Sequence, residues 1–93
     1  MASGKEYLNM VLDSLSEIGD ISSRPMMGEY IIYYKGKVVG GIYDNRFLIK
    51  PTKPLLEIIS QPVFELPYEG AKEMILIESL DDRAFLKKIF DAI

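Results

Sequence analysis

The chain of 93 residues has no cysteine, no histidine and no tryptophan. Without cysteine there are no disulfides, thiolate metal sites or thiol nucleophiles, and without histidine the commonest general base and transition-metal ligand are gone. Acid–base chemistry would fall to carboxylates, lysines or tyrosines. No pair of these stands at a diagnostic spacing, so no cofactor, no bound metal and no catalytic turnover are expected, and the chain reads as non-enzymatic. Also missing is any apolar run near the roughly 20 residues that span a bilayer. The opening Met1-Ala2-Ser3-Gly4-Lys5-Glu6 lacks the basic start and apolar core of a signal peptide, so the cytoplasm is the expected location, with no membrane partner. Internal repeats, low-complexity stretches and long linkers are absent too, which predicts one domain over residues 1–93. A domain of this size buries roughly 60 to 65% of its unfolded surface and folds without staples.

The charge balance is mildly acidic but unevenly spread. The net charge is -3, and residues 1–60 are neutral, with seven basic and seven acidic side chains, so the C-terminal third carries the imbalance. Residues 35–53 run the other way, with Lys35, Lys37, Arg46, Lys50 and Lys53 against Asp44 alone. Such a strip can meet phosphate, or it can keep hairpin ends soluble and discourage edge pairing. The overall negative charge favours the second use and predicts no strong direct binding to nucleic acid.

What the chain does have is a β meander. Ile31-Ile32-Tyr33-Tyr34, Val38-Val39-Gly40-Gly41-Ile42-Tyr43 and Arg46-Phe47-Leu48-Ile49-Lys50 are runs rich in β-branched and aromatic residues, separated by the turn-forming pairs Lys35-Gly36 and Asp44-Asn45. Before them, residues 4–19 place Leu8, Val11, Leu12, Leu15 and Ile18 on one helical stripe. Ser3 and Glu6 stand at capping-box spacing, and Gly19 is a natural stop. Residues 21–27 read as a weaker strand, in which Pro25 is tolerated only at an edge or bulge. Thr52 and Pro54 open a short helix with Leu55, Leu56, Ile58 and Ile59 on its buried side, and Pro62 and Pro67 bound an irregular link. Met74-Ile75-Leu76-Ile77 is a buried strand. Ser79 stands at cap spacing before a last helix, whose stripe is Leu86, Ile89, Phe90 and Ile93 and whose first-turn acids are Asp81 and Asp82.

The order helix, four strands, short helix, strand, helix predicts a two-layer α+β domain with an antiparallel sheet of about five strands. Residues expected in its core are Leu12, Leu15, Ile32, Leu48, Leu76, Leu86, Ile89 and Phe90. Alternation puts Tyr30, Ile32 and Tyr34 on one side of a strand and Ile31 and Tyr33 on the other, so neither side is polar. Either a helix crosses to the second face, or that face is a homodimer or partner surface involving Tyr30, Tyr33 or Tyr43. Met26, Met27 and Met74 can fill a core or form an adaptable surface. Gly40-Gly41 permits a bulge or the close approach of a ligand. The tyrosines lack the basic and aromatic pattern of base-stacking sheets. Arg24 and Arg46 are expected in ion pairs with Glu29 or Asp44.

The segment Arg24-Pro25-Met26-Met27-Gly28-Glu29-Tyr30, the aromatic strand after it, the Lys35-Gly36-Lys37 hairpin and Asp44-Asn45-Arg46-Phe47-Leu48-Ile49-Lys50 resemble the N-terminal domain of the TfoX (Sxy) family of competence regulators. That family has an Arg-Lys/Pro-Met-Phe-Gly-Gly-Tyr-like segment and an Asp-Asp-Arg-Leu-Tyr-Leu-Lys/Arg-like strand. Here Met27 stands for the usual Phe and Glu29 for the second Gly, which predicts that backbone 29 needs no glycine-only conformation. Pro67-Tyr68, Met74 and the last helix follow in the family's order. The resemblance implies a secretion-chaperone-like fold and a role in or near transcriptional regulation of competence-type genes through a protein partner, although family regulators carry a second, C-terminal domain that this chain lacks. The candidate partner residues are then Arg24, Met26, Met27, Gly28, Tyr30, Arg46 and Lys50. A small chaperone-like or adaptor module binding a client protein is the alternative.

Overall fold

Three two-residue turns, each with positive φ at both central residues, set the course of the chain: Met27-Gly28 (50° and 86°), Lys35-Gly36 (52° and 79°) and Asp44-Asn45 (52° and 55°). Positive φ at both positions is the geometry whose twist matches that of the flanking strands. In the computed structural model, which describes residues 3–93, the turns join β1 (Ile21–Met26), β2 (Glu29–Tyr34), β3 (Lys37–Ile42) and β4 (Phe47–Ile49) into an antiparallel meander. β2 starts at Glu29, so position 29 is ordinary strand. Because the two-residue loop pairs Met26 with Glu29, alternate positions 25 and 23 turn their amides away from β2. Pro25, with no amide, fits the outer side of this edge strand.

The described residues contain six strands, one more than the sequence predicts. β5 is Phe64–Glu65 and β6 is Met74–Ile77, and the sheet order is β1-β2-β3-β4-β6-β5. β5 lies inside the segment expected to be an irregular link between Pro62 and Pro67. It is two residues long, and its edge position comes from pairing with β6 rather than from a local pattern. The Gly40-Gly41 segment does carry an irregularity: the β2–β3 register shifts between Ile32 and Tyr33, leaving Val39 as the extra residue.

Register fixes the two faces. Ile32, Gly40, Ile49 and Ile75 align in one row and Ile31, Gly41, Leu48 and Leu76 in the next. The first row shares a core with Ile42, Phe47 and Ile77 and with the buried stripes of α1 (Lys5–Ser14), α2 (Lys53–Ile58) and α3 (Arg83–Asp91). Leu8 and Val11 of α1, Leu15 just after it, Leu55 of α2, and Leu86, Ile89 and Phe90 of α3 all belong to that one cluster. The three helices of the described residues therefore cover the same face. No helix crosses to the other, where Tyr43, Leu48 and Met74 form a separate small cluster with half-buried Leu76. Leu12 is likewise half-buried rather than fully buried, and Ile93 lies exposed beyond α3.

Helix ends differ from the sequence expectation in two places. α1 stops at Ser14, its last turn tightening through Leu15 and Ser16, and its N-cap is Gly4 with no side-chain bond. The Ser3–Glu6 capping box does not form, because Ser3 is bonded to a residue of β2 instead. α3 is capped by Asp82, whose carboxylate accepts from the Phe85 amide at 3.1 Å, and not by Ser79. Asp81 is left outside the helix, since the Asp82 amide already bonds the Ser79 carbonyl in a turn. α2 starts as expected, with Thr52 accepting from the Leu55 amide at 3.4 Å and Pro54 in the first turn. Of its expected buried side, however, only Leu55 is buried and Ile59 half-buried, whereas Leu56 and Ile58 are exposed because the helix ends after six residues at the edge of the core. No helix among the described residues is long and apolar enough to cross a membrane.

Candidate functional site

Glu29 is the hub at one end of the sheet. Its Oε1 accepts from the Ser3 amide at 2.8 Å and the Ser3 hydroxyl at 2.6 Å, while Oε2 accepts from the Asp44 amide at 2.9 Å. The Ser3 hydroxyl oxygen in turn accepts from the Asn45 backbone amide at 3.1 Å, and the Asn45 side-chain Oδ1 accepts from the Gly4 amide at 2.8 Å. Charge-assisted bonds of this kind are stronger than neutral ones. One carboxylate thus ties the start of α1 to the β1–β2 and β3–β4 turns.

This use of Glu29 corrects the expected ion pairs. Arg46 bridges Glu65 instead, Nη1 to Oε1 at 2.6 Å, and also donates to the carbonyls of Tyr43 and Leu66. It fastens β4 to the edge strand β5 across β6. Arg24 stacks its guanidinium over the Tyr33 ring, 5.8 Å from the centroid. Neither arginine meets Glu29 or Asp44 through its side chain; Glu29 accepts from a hydroxyl and two backbone amides instead.

Arg24, Met26, Met27 and Gly28 stay together on the first hairpin, where Met27 is 97% exposed and Met26 36%. Met74 alone of the three singled-out methionines is a core residue. Tyr30 and Tyr34 pack toward the helix-covered core, the latter edge-on to Phe90, so Tyr30 is removed from the open face to which sequence reasoning assigned it. The basic strip divides as well. Lys35, Lys37, Lys50 and Lys53 gather at the end of the sheet where β2 turns into β3 and β4 into α2, whereas Arg46 belongs to the Glu29 end.

Lys50 borders the feature sequence reasoning missed: a cavity of about 380 Å3 on the open face. Its floor is Val38, Tyr43 and Met74. One wall is the turn of residues 68–71, closed by an Ala71 amide to Tyr68 carbonyl bond of 3.2 Å, with Gly70 at a φ of 87°. A positive φ at the third turn position is what glycine supplies. Tyr43 lies over Gly41, where an added Cβ would stand 2.7 Å from its ring, and tilts against Tyr68 with centroids 6.1 Å apart. Burial, then Tyr68 and Glu29, push the Tyr43 phenol above its usual range, so it stays a neutral donor at physiological pH. Lys50, Lys72 and Glu73 rim the opening. The arrangement supplies apolar volume, a phenol and two cations, and no nucleophile paired with a base. Of the sequence features, Pro67-Tyr68 and Gly70 were the available signal, but only the fold brings them opposite Tyr43 and Lys50.

No model of a known protein family matches the chain. A search of characterised and catalogued proteins finds similarity to the "Uncharacterized 12.7 kDa protein in trpE 5'region" of Spirochaeta aurantia, 34% identical over 84 residues that span 90% of this chain and 73% of that protein. At that identity and coverage, the chain belongs to the family of the 12.7 kDa Spirochaeta aurantia protein.

Proposed function

We propose that this chain is a protein-interaction domain of the TfoX N-terminal kind, non-enzymatic and acting in or near transcriptional regulation, which meets a protein partner with its open sheet face and the tip of its first hairpin. The observation that carries the reading is the apolar surface left on the side away from the helices: Met26, Val38 and Tyr68 are exposed there, with Ile31 and Tyr33 half-buried between them. Met27 at the adjoining tip adds to it, for a bulky side chain at a φ of 50° is strained and gains nothing from solvent. Contiguous exposed apolar area on a small domain marks a contact surface.

A photo-crosslinking residue placed at Val38 in the native host tests this. The expected result is a discrete adduct with one partner that is missing when the same residue replaces Lys87 on the outer side of α3. Adducts from Lys87 alone would contradict the reading. A transcription factor or polymerase subunit in the adduct fits the regulatory role, and a labile client protein fits the chaperone-like alternative. An adduct with a second copy, matched by light scattering at twice 10.6 kDa, assigns the face to a homodimer.

Regulation through a protein predicts weak contact with DNA. The four gathered lysines form a small cluster on a chain of net charge -3, and Arg46 is committed to Glu65. Double-stranded DNA is expected to bind the purified chain no more tightly than about 0.1 mM at physiological salt. Fluorescence anisotropy across a salt series measures it. Sub-micromolar binding that disappears on reversing the exposed Lys37 and Lys50 to glutamate would show that the lysine cluster reads nucleic acid.

A further inference from the structure

Two depressions of opposite charge lie on the surface. One, of about 570 Å3 beside the Arg46–Glu65 bridge, lies where α1 meets the sheet and is lined by Tyr7 and Met10 together with Glu65, Glu78 and Asp81 against Arg46. The other is the cavity of about 380 Å3, lined by Lys50 and Lys72 against Glu73. A chain of net charge -3 thus presents a locally basic mouth over an apolar floor. That floor is preformed: Gly41 leaves the room into which the Tyr43 ring folds, and the turn of residues 68–71 holds Tyr68 across from it.

We propose that this cavity takes an apolar side chain of an extended acidic segment of the partner protein, with Lys50 and Lys72 meeting its carboxylates; this rests on the interaction reading above and gives it a chemistry. The volume lies within the roughly 300 to 1,000 Å3 of ordinary ligand pockets and has their mix of apolar walls and few polar groups. An apolar anchor desolvates against Val38, Met74 and the two tyrosine rings. The lysines add attraction and discriminate against basic segments, which the neighbouring acidic depression would draw instead. The neutral Tyr43 phenol is a further donor for a carboxylate.

The probe is the peptide acetyl-Asp-Glu-Leu-Phe-Asp-amide, compared with acetyl-Lys-Lys-Leu-Phe-Lys-amide and with acetyl-Asp-Glu-Gly-Gly-Asp-amide, each titrated to about 1 mM into the isotope-labelled full chain and followed by NMR. The acidic apolar peptide is expected to shift Val38, Tyr43, Tyr68 and Met74, and the other two to leave them unmoved. Lys50→Glu with Lys72→Glu should weaken binding at least about tenfold, the loss of about 1.4 kcal/mol. Both lysines are exposed, so the thermal midpoint should hold. Ala71→Leu, which fills the cavity, should abolish the shifts with the lysines intact. Shifts of equal size with the basic peptide, shifts confined to the Arg46–Glu65 depression, or no shifts with the acidic apolar peptide would overturn the proposal. If the Val38 crosslink forms while the acidic peptide leaves the cavity unmoved, the interaction reading stands and this chemistry falls.

Discussion

Phe90→Ala is expected to lower folding stability by about 3 to 5 kcal/mol. Phe90 is 1% exposed in α3 and meets Tyr34 of β2 edge-on, with centroids 5.3 Å apart at 82°, so its removal opens a void between the last helix and the meander. A domain of this length holds roughly 5 to 14 kcal/mol in all, and the loss consumes a large part of it. Urea unfolding should show a lower midpoint with an unchanged slope, and Phe90→Leu should recover most of the difference. A loss below about 1 kcal/mol would mean that α3 is not part of the common core.

Gly40→Ala carries the second large effect, and here structure and propensity predict opposite signs. Alanine loses less backbone freedom than glycine on entering a strand, by roughly 0.5 to 1 kcal/mol, so propensity alone predicts a small gain. In this sheet the added Cβ would collide with the Leu48 carbonyl oxygen and stand 2.9 Å from the Ile49 Cα, both of them backbone atoms of β4. Neither can rotate away. Overpacking against rigid neighbours costs about 1 to 3 kcal/mol or more, and a contact this close to main chain falls at the upper end. Chemical denaturation of the variant decides between the two signs: a stability equal to or above the parent would show that β3 and β4 do not approach so closely at the bulge.

The contrast between these two positions also marks what could be read from the sequence. The turns at Lys35-Gly36 and Asp44-Asn45, the edge role of Pro25 and most of each helix stripe (Leu8, Val11, Leu86, Ile89 and Phe90) are local patterns that appear in the fold where the sequence places them, while Ile18 falls beyond the shortened α1 and Ile93 is exposed beyond α3. Features that depend on distant partners were not legible. Ser3 has the spacing to cap its own helix, but Glu29, 26 residues away, offers its hydroxyl and amide a charged acceptor. Arg46 pairs with Glu65, 19 residues away, on a strand too short to leave a pattern. The cavity needs residues 38, 43, 50 and 68–74 brought together by register, and its single local trace is the glycine of the turn at residues 68–71. The members of the candidate motif of residues 24–30 divide in the fold: Met27 points to solvent, Glu29 organises the sheet end and Tyr30 joins the core.

The face away from the helices and the tip of the first hairpin are the proposed working surface of this domain. Methionine oxidation footprinting, read by mass spectrometry on the purified chain and on the chain in its native host, tests it with built-in controls. In the purified protein Met27 and Met10, 97% and 50% exposed, and Met26 at 36% should oxidise, while Met74 at 8% resists. In the host, Met26 and Met27 should become protected while Met10, on α1 at the covered side, keeps its reactivity. Protection of Met10 with Met26 and Met27 still fully reactive would contradict the account, because the partner would then sit on the helices and leave the open face bare.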